Sequence, residues 1–434
     1  MTPFFSIIIP TRNRAGLLQY ALASAANQDF TDYEIVVSDN NSVDTTRAVI
    51  EAAMASSSRV KYFNPGADLS MCDNWENALA KSSGDYVMLL CDDDVLPRGA
   101  LSHIHKLVTA LPAEILVWRY GSYCFEDFPD ENERQRFTFP YTSGQCFEIA
   151  SQAIIGALLK FDWSVNALVP KMLNCAVSRR AIDDCRRRTG NFFQPPYPDF
   201  SATGQLLATN PSYHLIDLPL YVSGASGLSN AAFIMNRKRV FDDYLSLYGR
   251  DLLAGVPYPM RYLCTSYFHA GWRLLRQIYP EVFHGEIDLT AYLRAAFKEL
   301  TLFEDHEDVS AEFTQVGGYL REVSGSDEIF EQLQREHDID RSKTLSDRRL
   351  PPGLKDRMWL MARRNPGLYR TLAKLRGHRV TEASYYGVRT ILAAANILEK
   401  YLAKSTRSAQ PLTLVQIDSL DGLKATPAFG GGAQ

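Results

Sequence analysis

Residues 89–97 read LLCDDDVLP, so Asp92, Asp93 and Asp94 stand side by side directly behind an apolar run. Adjacent like charges repel, and three carboxylates at the end of a buried strand need a positive partner. A hard divalent cation is one such partner. Mg²⁺ or Mn²⁺ takes one or two protein carboxylates and completes its shell with water and phosphate oxygens. The residues alone leave a second reading open, a solvated turn in which Asp94 caps the following helix. Two further polar clusters have the same setting, PTRNR (10–14) behind FFSIII and SDNNS (38–42) behind YEIVV. Arginines such as Arg12 and Arg14 can bind phosphate or stack on a base. A carboxylate such as Asp39 suits a ring N–H.

These clusters need elements that bring them together. From 4 to 120 the sequence alternates buried strands with amphipathic helices: FFSIIIP, RAGLLQYALASAANQ, YEIVVS, VDTTRAVIEAAMAS, VKYF, SMCDNWENALAKS, DYVMLL, LPRGALSHIHKLVTAL and EILVW. Ser42 is the expected N-cap of the second helix, and Ser70 with Asp73 forms a capping box for the third. The rhythm predicts an α/β fold, a mostly parallel sheet covered by helices. Ligands bind such sheets beyond the carboxyl ends of the strands. All three clusters fall there.

Taken in order, FSIIIPTRNR, YEIVVSDNNSVDTT and DNWENALAKSSGDYVMLLCDDDVLPRGAL resemble family 2 glycosyltransferases of the GT-A fold. The likeness is good over about 4–110 and looser to about 230. It implies a nucleotide-sugar donor, a divalent metal and an acidic base that deprotonates an acceptor hydroxyl. Carried over by position, it puts Pro10, Thr11 and Arg12 along the nucleotide base; Arg14 and Asn41 are further donor-binding candidates. Asp39 falls on the carboxylate that accepts from the base, and Asp68 and Asp92 on donor contacts. Asp93 falls on the metal-binding aspartate of the D-x-D motif, with either Asp94 or Asp92 as the second ligand. Cys91 stands where many relatives carry aspartate. The base falls on Asp199 in PPYPDFSATGQLLA, where Pro198-Asp199 replaces a common Glu-Asp pair. Helix capping is the alternative role for that residue. His214 is a weaker candidate for approach to the diphosphate.

The expected organisation is a catalytic domain at 1–235, a mostly helical region at 236–410 and a partly disordered tail at 411–434. Net charge is −4, which points away from nucleic acid. The seven cysteines show no metal or disulfide spacing, which fits a reducing cytosol. No apolar run suits a leader peptide or a spanning helix. From 341 to 379 twelve basic residues face two acidic ones, an excess of +10 that leaves −14 for the rest. Interleaved with Trp359, Met358 and Met361, this segment suits contact with an anionic membrane, so the expected location is cytoplasmic, at the inner membrane face. An internal helical pair is its other reading.

The activity expected is inverting transfer of a UDP-linked sugar to a glycan or lipid-linked acceptor, in polysaccharide or glycolipid assembly. One rival is a non-catalytic membrane-attached scaffold with the same fold. The other is a sugar nucleotidyltransferase, but PTRNRAG lacks the glycine-rich phosphate loop such an enzyme would want.

Overall fold

The apolar runs at 5–11 and 33–39 are buried along their whole length, as strands covered on both faces must be. In the computed structural model these become β1 (Phe5–Thr11) and β2 (Tyr33–Asp39), followed by β3 (Val60–Phe63) and β4 (Tyr86–Leu89). The model describes residues 2–227, 229, 251–260, 263–304, 308–349, 381–405, 414–426 and 429. The remaining strands are β5 (Ile115–Cys124), β6 (Phe137–Pro140), β7 (Cys146–Ala150), β8 (Cys175–Ser178), β9 (Ser212–Ala225), β10 (Glu382–Tyr385) and β11 (Leu414–Ile417). The early helices are α1 (Ala15–Ala26), α2 (Thr46–Ser56), α3 (Met71–Ala80), α4 (Ala100–Ala110), α5 (Ser151–Leu158), α6 (Arg179–Thr189) and α7 (Pro198–Thr209). The later ones are α8 (Cys264–Ile278), α9 (Leu289–Thr301), α10 (Ser310–Ser324), α11 (Glu328–Arg349), α12 (Ile391–Ser405) and α13 (Leu420–Ala425).

All the described strands join one sheet, in the order β11-β7-β9-β5-β8-β4-β1-β2-β3, with β6 pairing β5 and β10. The β3-β2-β1-β4 portion is parallel. Beyond it, β8 is inserted antiparallel between β4 and β5, and β9 runs parallel to β5. The ends of β1, β2, β4, β5 and β9 therefore share one edge with the start of β8. Two apolar clusters fill the space between sheet and helices, one on each face. The α/β class and the mostly helical C-terminal part are as expected, but the sheet is mixed rather than mostly parallel, because β6, β7, β8 and β10 pair antiparallel with their neighbours.

That C-terminal part also supplies strands. β10 pairs with β6, and β11 lies parallel to β7 within the tail expected to be partly disordered. Much of the basic 341–379 segment lies outside the described residues, as does the 235 boundary. Ser42 does not cap α2, whose N-cap is Thr45. The Ser42 hydroxyl instead accepts the Asn13 N–H at 2.8 Å. The Ser70–Asp73 box is formed, with the Asp73 N–H donating to Ser70 Oγ at 3.1 Å. All seven cysteines are free thiols. Among the described residues, no helix is long and apolar enough to cross a membrane.

His269 of α8 is buried against Tyr292, with ring centroids 4.9 Å apart. Neither ring nitrogen has a hydrogen-bond partner among the described residues. Burial, with the Arg273 charge adding to it, lowers its pKa from 6.5 to about 4. The unfolded chain then binds a proton that the folded chain refuses, so stability falls as pH drops from 6.5 toward 4. That window should cost on the order of 3 kcal/mol. Urea unfolding at pH 7.5 and 4.5 should show His269→Leu losing less stability than wild type by about that amount.

Candidate active site

The parallel register sets Thr11 directly beside Asp39 at the shared edge, with Pro10 beside Ser38. Beyond them the chain turns sharply, and Asn13 and Asn41 adopt positive φ, a conformation asparagine tolerates better than most residues. The two turns are laced together. Val43 N–H donates to Asn13 Oδ1 at 2.8 Å, and Ser42 N–H to Asp39 Oδ1 at 3.1 Å. The other Asp39 oxygen accepts from Tyr62 at 3.0 Å. Asp68 accepts from Arg12 at 2.8 Å and from Asn41 at 2.9 Å on the exposed rim. Those hydrogen bonds, Asn41 first, hold its carboxyl below the usual range.

Behind this rim lies the acidic cluster. Asp92, Asp93 and Asp94 are only 4%, 8% and 3% exposed, which excludes a solvated turn. Asp92 accepts Thr11 Oγ1–H at 2.7 Å and Arg14 Nη1 at 3.0 Å, and Arg14 stands 3.6 Å from Asp93. Asp93 accepts the Ser229 hydroxyl at 2.7 Å. Asp94 accepts the Tyr221 hydroxyl and, at 2.7 Å, the Gly224 N–H. A reciprocal Val95–Val222 backbone pair clamps β9 to this loop.

Burial dominates the electrostatics. It raises the Asp93 pKa, opposed by Arg14 and reinforced by Asp92. It raises Asp94 further, with Asp93 adding to the effect. Burial and the three aspartates also push the Cys91 thiol up, so it stays protonated. For Arg14 burial works against the charge, but Asp92 and Asp93 outweigh it and raise its pKa. Ligand-capable atoms of Cys91, Asp93 and Asp94 lie within 4.8 Å of one another. Each carboxylate has about four acceptor sites, so the bonds to Tyr221, Gly224 and Ser229 leave lone pairs over. Three crowded carboxylates against one guanidinium make an anionic, oxygen-rich set, which fits a hard divalent cation.

Asp199 reaches the same edge by another route. Because β8 runs antiparallel to β4, the segment before it lies at the end of β4, and Leu89 N–H donates to Met172 O at 3.3 Å. Thr203 of α7 donates to Pro170 O at 3.0 Å, which ties that helix to the segment. Asp199 sits in the first turn of α7, but the N-cap is Tyr197 and no side-chain cap bond forms. Burial raises its pKa, and Lys171 opposes the rise. A carboxylate with a raised pKa and no cap bond has the character of a general base.

A family model described as "Glycosyl transferase family 2" matches residues 6–174. That span holds β1, β2 and β4 and every cluster at their ends. Over that span the chain is similar to family 2 glycosyltransferases. The chain is 46% identical over 164 residues to a "GalNAc(5)-diNAcBac-PP-undecaprenol beta-1,3-glucosyltransferase" of Campylobacter jejuni, covering 35% of this chain and 53% of that protein. It is 32% identical over 151 residues to a "Validoxylamine A glucosyltransferase" of Streptomyces hygroscopicus, covering 27% of this chain and 36% of that one. The chain thus spans about half or less of the length of these relatives. Among solved structures, Staphylococcus aureus TarS 1–349 in complex with UDP-GlcNAc is similar over 77% of this chain and 92% of that chain, at 13% identity and a TM-score of 0.44.

His214 pairs with Leu116 near the start of β9, at the opposite edge of the sheet. It lies eight residues before Val222, or roughly 26 Å of strand, which removes it from the acidic cluster. Tyr221, Gly224, Ser229 and Lys171 were missed by sequence reasoning. Only the small-residue run SGASG at the end of β9 offers a signal of close approach there.

Gly224 is where that approach is tightest. A Cβ added to it would stand 1.9 Å from the Asp93 carbonyl oxygen. Gly224→Ala must therefore push β9 away from the acidic loop. The expected result is a loss of about 2–3 kcal/mol in urea unfolding, with nucleotide binding impaired beyond what the stability loss explains.

Proposed function

We propose that this protein is an inverting, metal-dependent glycosyltransferase that moves a sugar from a nucleotide-sugar, UDP-linked, to an acceptor hydroxyl. The observation that carries this reading is the buried Asp92-Asp93-Asp94 cluster at the edge that also holds Asp199. The match to the family 2 glycosyltransferase model over residues 6–174 supports it. The undecaprenol in the name of the C. jejuni relative supports a lipid-linked or glycan acceptor, and so a setting in cell-surface polysaccharide or glycolipid synthesis.

In this reading the turns after β1 and β2 receive the nucleoside, with Asp39 accepting from the base and Asp68 lining the rim. Asp93 and Asp94 would hold Mg²⁺ or Mn²⁺, and Arg14 fixes the carboxylates. The bound cation supplies Lewis-acid stabilisation of charge on the departing diphosphate. Asp199 takes the proton from the acceptor hydroxyl. The acceptor oxygen then bonds to the anomeric carbon as the bond from that carbon to the phosphate oxygen breaks. Attack from the face opposite the leaving group inverts the centre. Peripheral contact with the inner membrane face through 341–379 would bring a lipid-linked acceptor within reach.

Two measurements test the reading. Titration with UDP by calorimetry should show binding that needs Mn²⁺ or Mg²⁺ and is lost in Asp93→Ala. Tight, metal-dependent binding of another nucleoside diphosphate instead would keep the mechanism and change the donor. Asp199→Asn should keep that binding within about twofold and lower kcat by about 10²–10⁴. A wild-type protein that binds no nucleoside diphosphate would favour the scaffold reading.

A further inference from the structure

Ser229 stands just past β9, and the proposed chemistry gives it no part. Its hydroxyl donates to Asp93 Oδ2 at 2.7 Å. Ser226 and Ser229 are both buried. The Ser226 N–H donates to Ser229 Oγ at 2.9 Å, and the two hydroxyl oxygens lie 3.2 Å apart. A serine hydroxyl has one proton and two lone pairs. With the Ser229 proton on Asp93, the Ser226 hydroxyl is left to donate within their pair. All three positions of the Ser229 hydroxyl are then taken, and its rotor is fixed. The backbone beneath it is fixed as well. Ser229 N–H closes on Ser226 O at 3.1 Å, and Phe125 N–H, just past β5, donates to Ala225 O at 2.8 Å. A Cβ added to Gly227 would stand 2.8 Å from the Asp127 carbonyl oxygen, so this turn rests against the chain leaving β5.

We propose that Ser229 is a positioning residue for the cation site: it holds one oxygen of Asp93 so that the carboxylate meets the ion through the other. This rests on the reading of Asp93 as a metal ligand. The terminal torsion of an aspartate is soft, and three crowded carboxylates repel one another. Each therefore needs its own anchor. Asp92 and Asp94 have a donor on either oxygen, Arg14 and Thr11 for the first, Gly224 and Tyr221 for the second. Asp93 is anchored from one side. Ser229 donates to Oδ2, and Arg14 stands 3.6 Å from the same oxygen. The backbone N–H of Asp93 adds to this hold. A ligating carboxylate fixed by an outer hydrogen bond binds its metal more tightly, because its orientation is set before the ion arrives. The neighbours do not duplicate Ser229, since Thr11 serves Asp92 while Tyr221 and Gly224 serve Asp94. The ion site thus depends on a hydroxyl 136 residues further along the chain.

Mn²⁺ alone is the probe, and no turnover is needed. Electron paramagnetic resonance of the full chain titrated with Mn²⁺ reads the ion left free in solution. Asp93→Ala gives the baseline for ions held elsewhere. Ser229→Ala should bind Mn²⁺ about 10- to 100-fold more weakly than wild type. Ser229→Thr keeps the hydroxyl and should restore most of that affinity. An unchanged affinity in Ser229→Ala overturns the proposal. Tighter binding overturns it too, and makes the hydroxyl a competitor of the ion. Equally weak binding in both variants overturns it in favour of a packing role for the serine. A wild type that retains no Mn²⁺ above the baseline removes the proposal together with the metal-dependent reading. A wild type that binds Mn²⁺ but no nucleoside diphosphate sinks the proposed transfer alone, and the Ser229 comparison still decides the role of the hydroxyl.

Discussion

Concentrated negative charge out of reach of water is the constraint on which the rest of the structure depends. Three consecutive carboxylates are nearly inaccessible at the end of β4. Ionised groups are tolerated there only if neighbours supply donors and positive charge. The required donors come from well-separated parts of the chain: Thr11 and Arg14 from the first strand and turn, Tyr221 and Gly224 from β9, and Ser229 just beyond it. The sheet topology makes this supply possible. With β8 inserted between β4 and β5, two strands separate β9 from β4, yet its far end bends back over the acidic loop through the Val95–Val222 pair.

The same geometry separates two tasks. The cluster at β4 carries surplus negative charge that suits a cation. The segment before β8 and the start of α7 carry one charge of each sign. Both reach the edge because β8 is antiparallel, so its entrance coincides with the exits of the parallel strands. A parallel strand in that slot would have sent Lys171 to the opposite edge.

The first half of this arrangement was legible in the residues. Continuous apolar runs with polar ends mark buried parallel strands, and the register then aligns those ends by itself. The acidic triplet was legible because adjacent like charges demand explanation. What completes the site was not. Tyr221, Gly224 and Ser229 are ordinary residues, distinguished only by a close approach that depends on three-dimensional folding. Lys171 is a lone lysine in a loop, and its meaning depends on a burial no local pattern reveals. Ser42 misled for a different reason. In SDNNSVDTT several side chains compete for the same backbone donors, and the inter-turn bond to Asn13 takes Ser42 before the helix can.

The two outlying strands have a consequence for the order of events during synthesis. β6 ends at Pro140 and finds its outer neighbour only at Glu382, and β7 ends at Ala150 and waits for Leu414. A chain emerging from the ribosome therefore presents two bare sheet edges for most of its translation time. Unsatisfied edges of that kind recruit other strands. Nascent chains of this protein are thus most exposed to mispairing before release, and holding chaperones have their main opportunity in that interval.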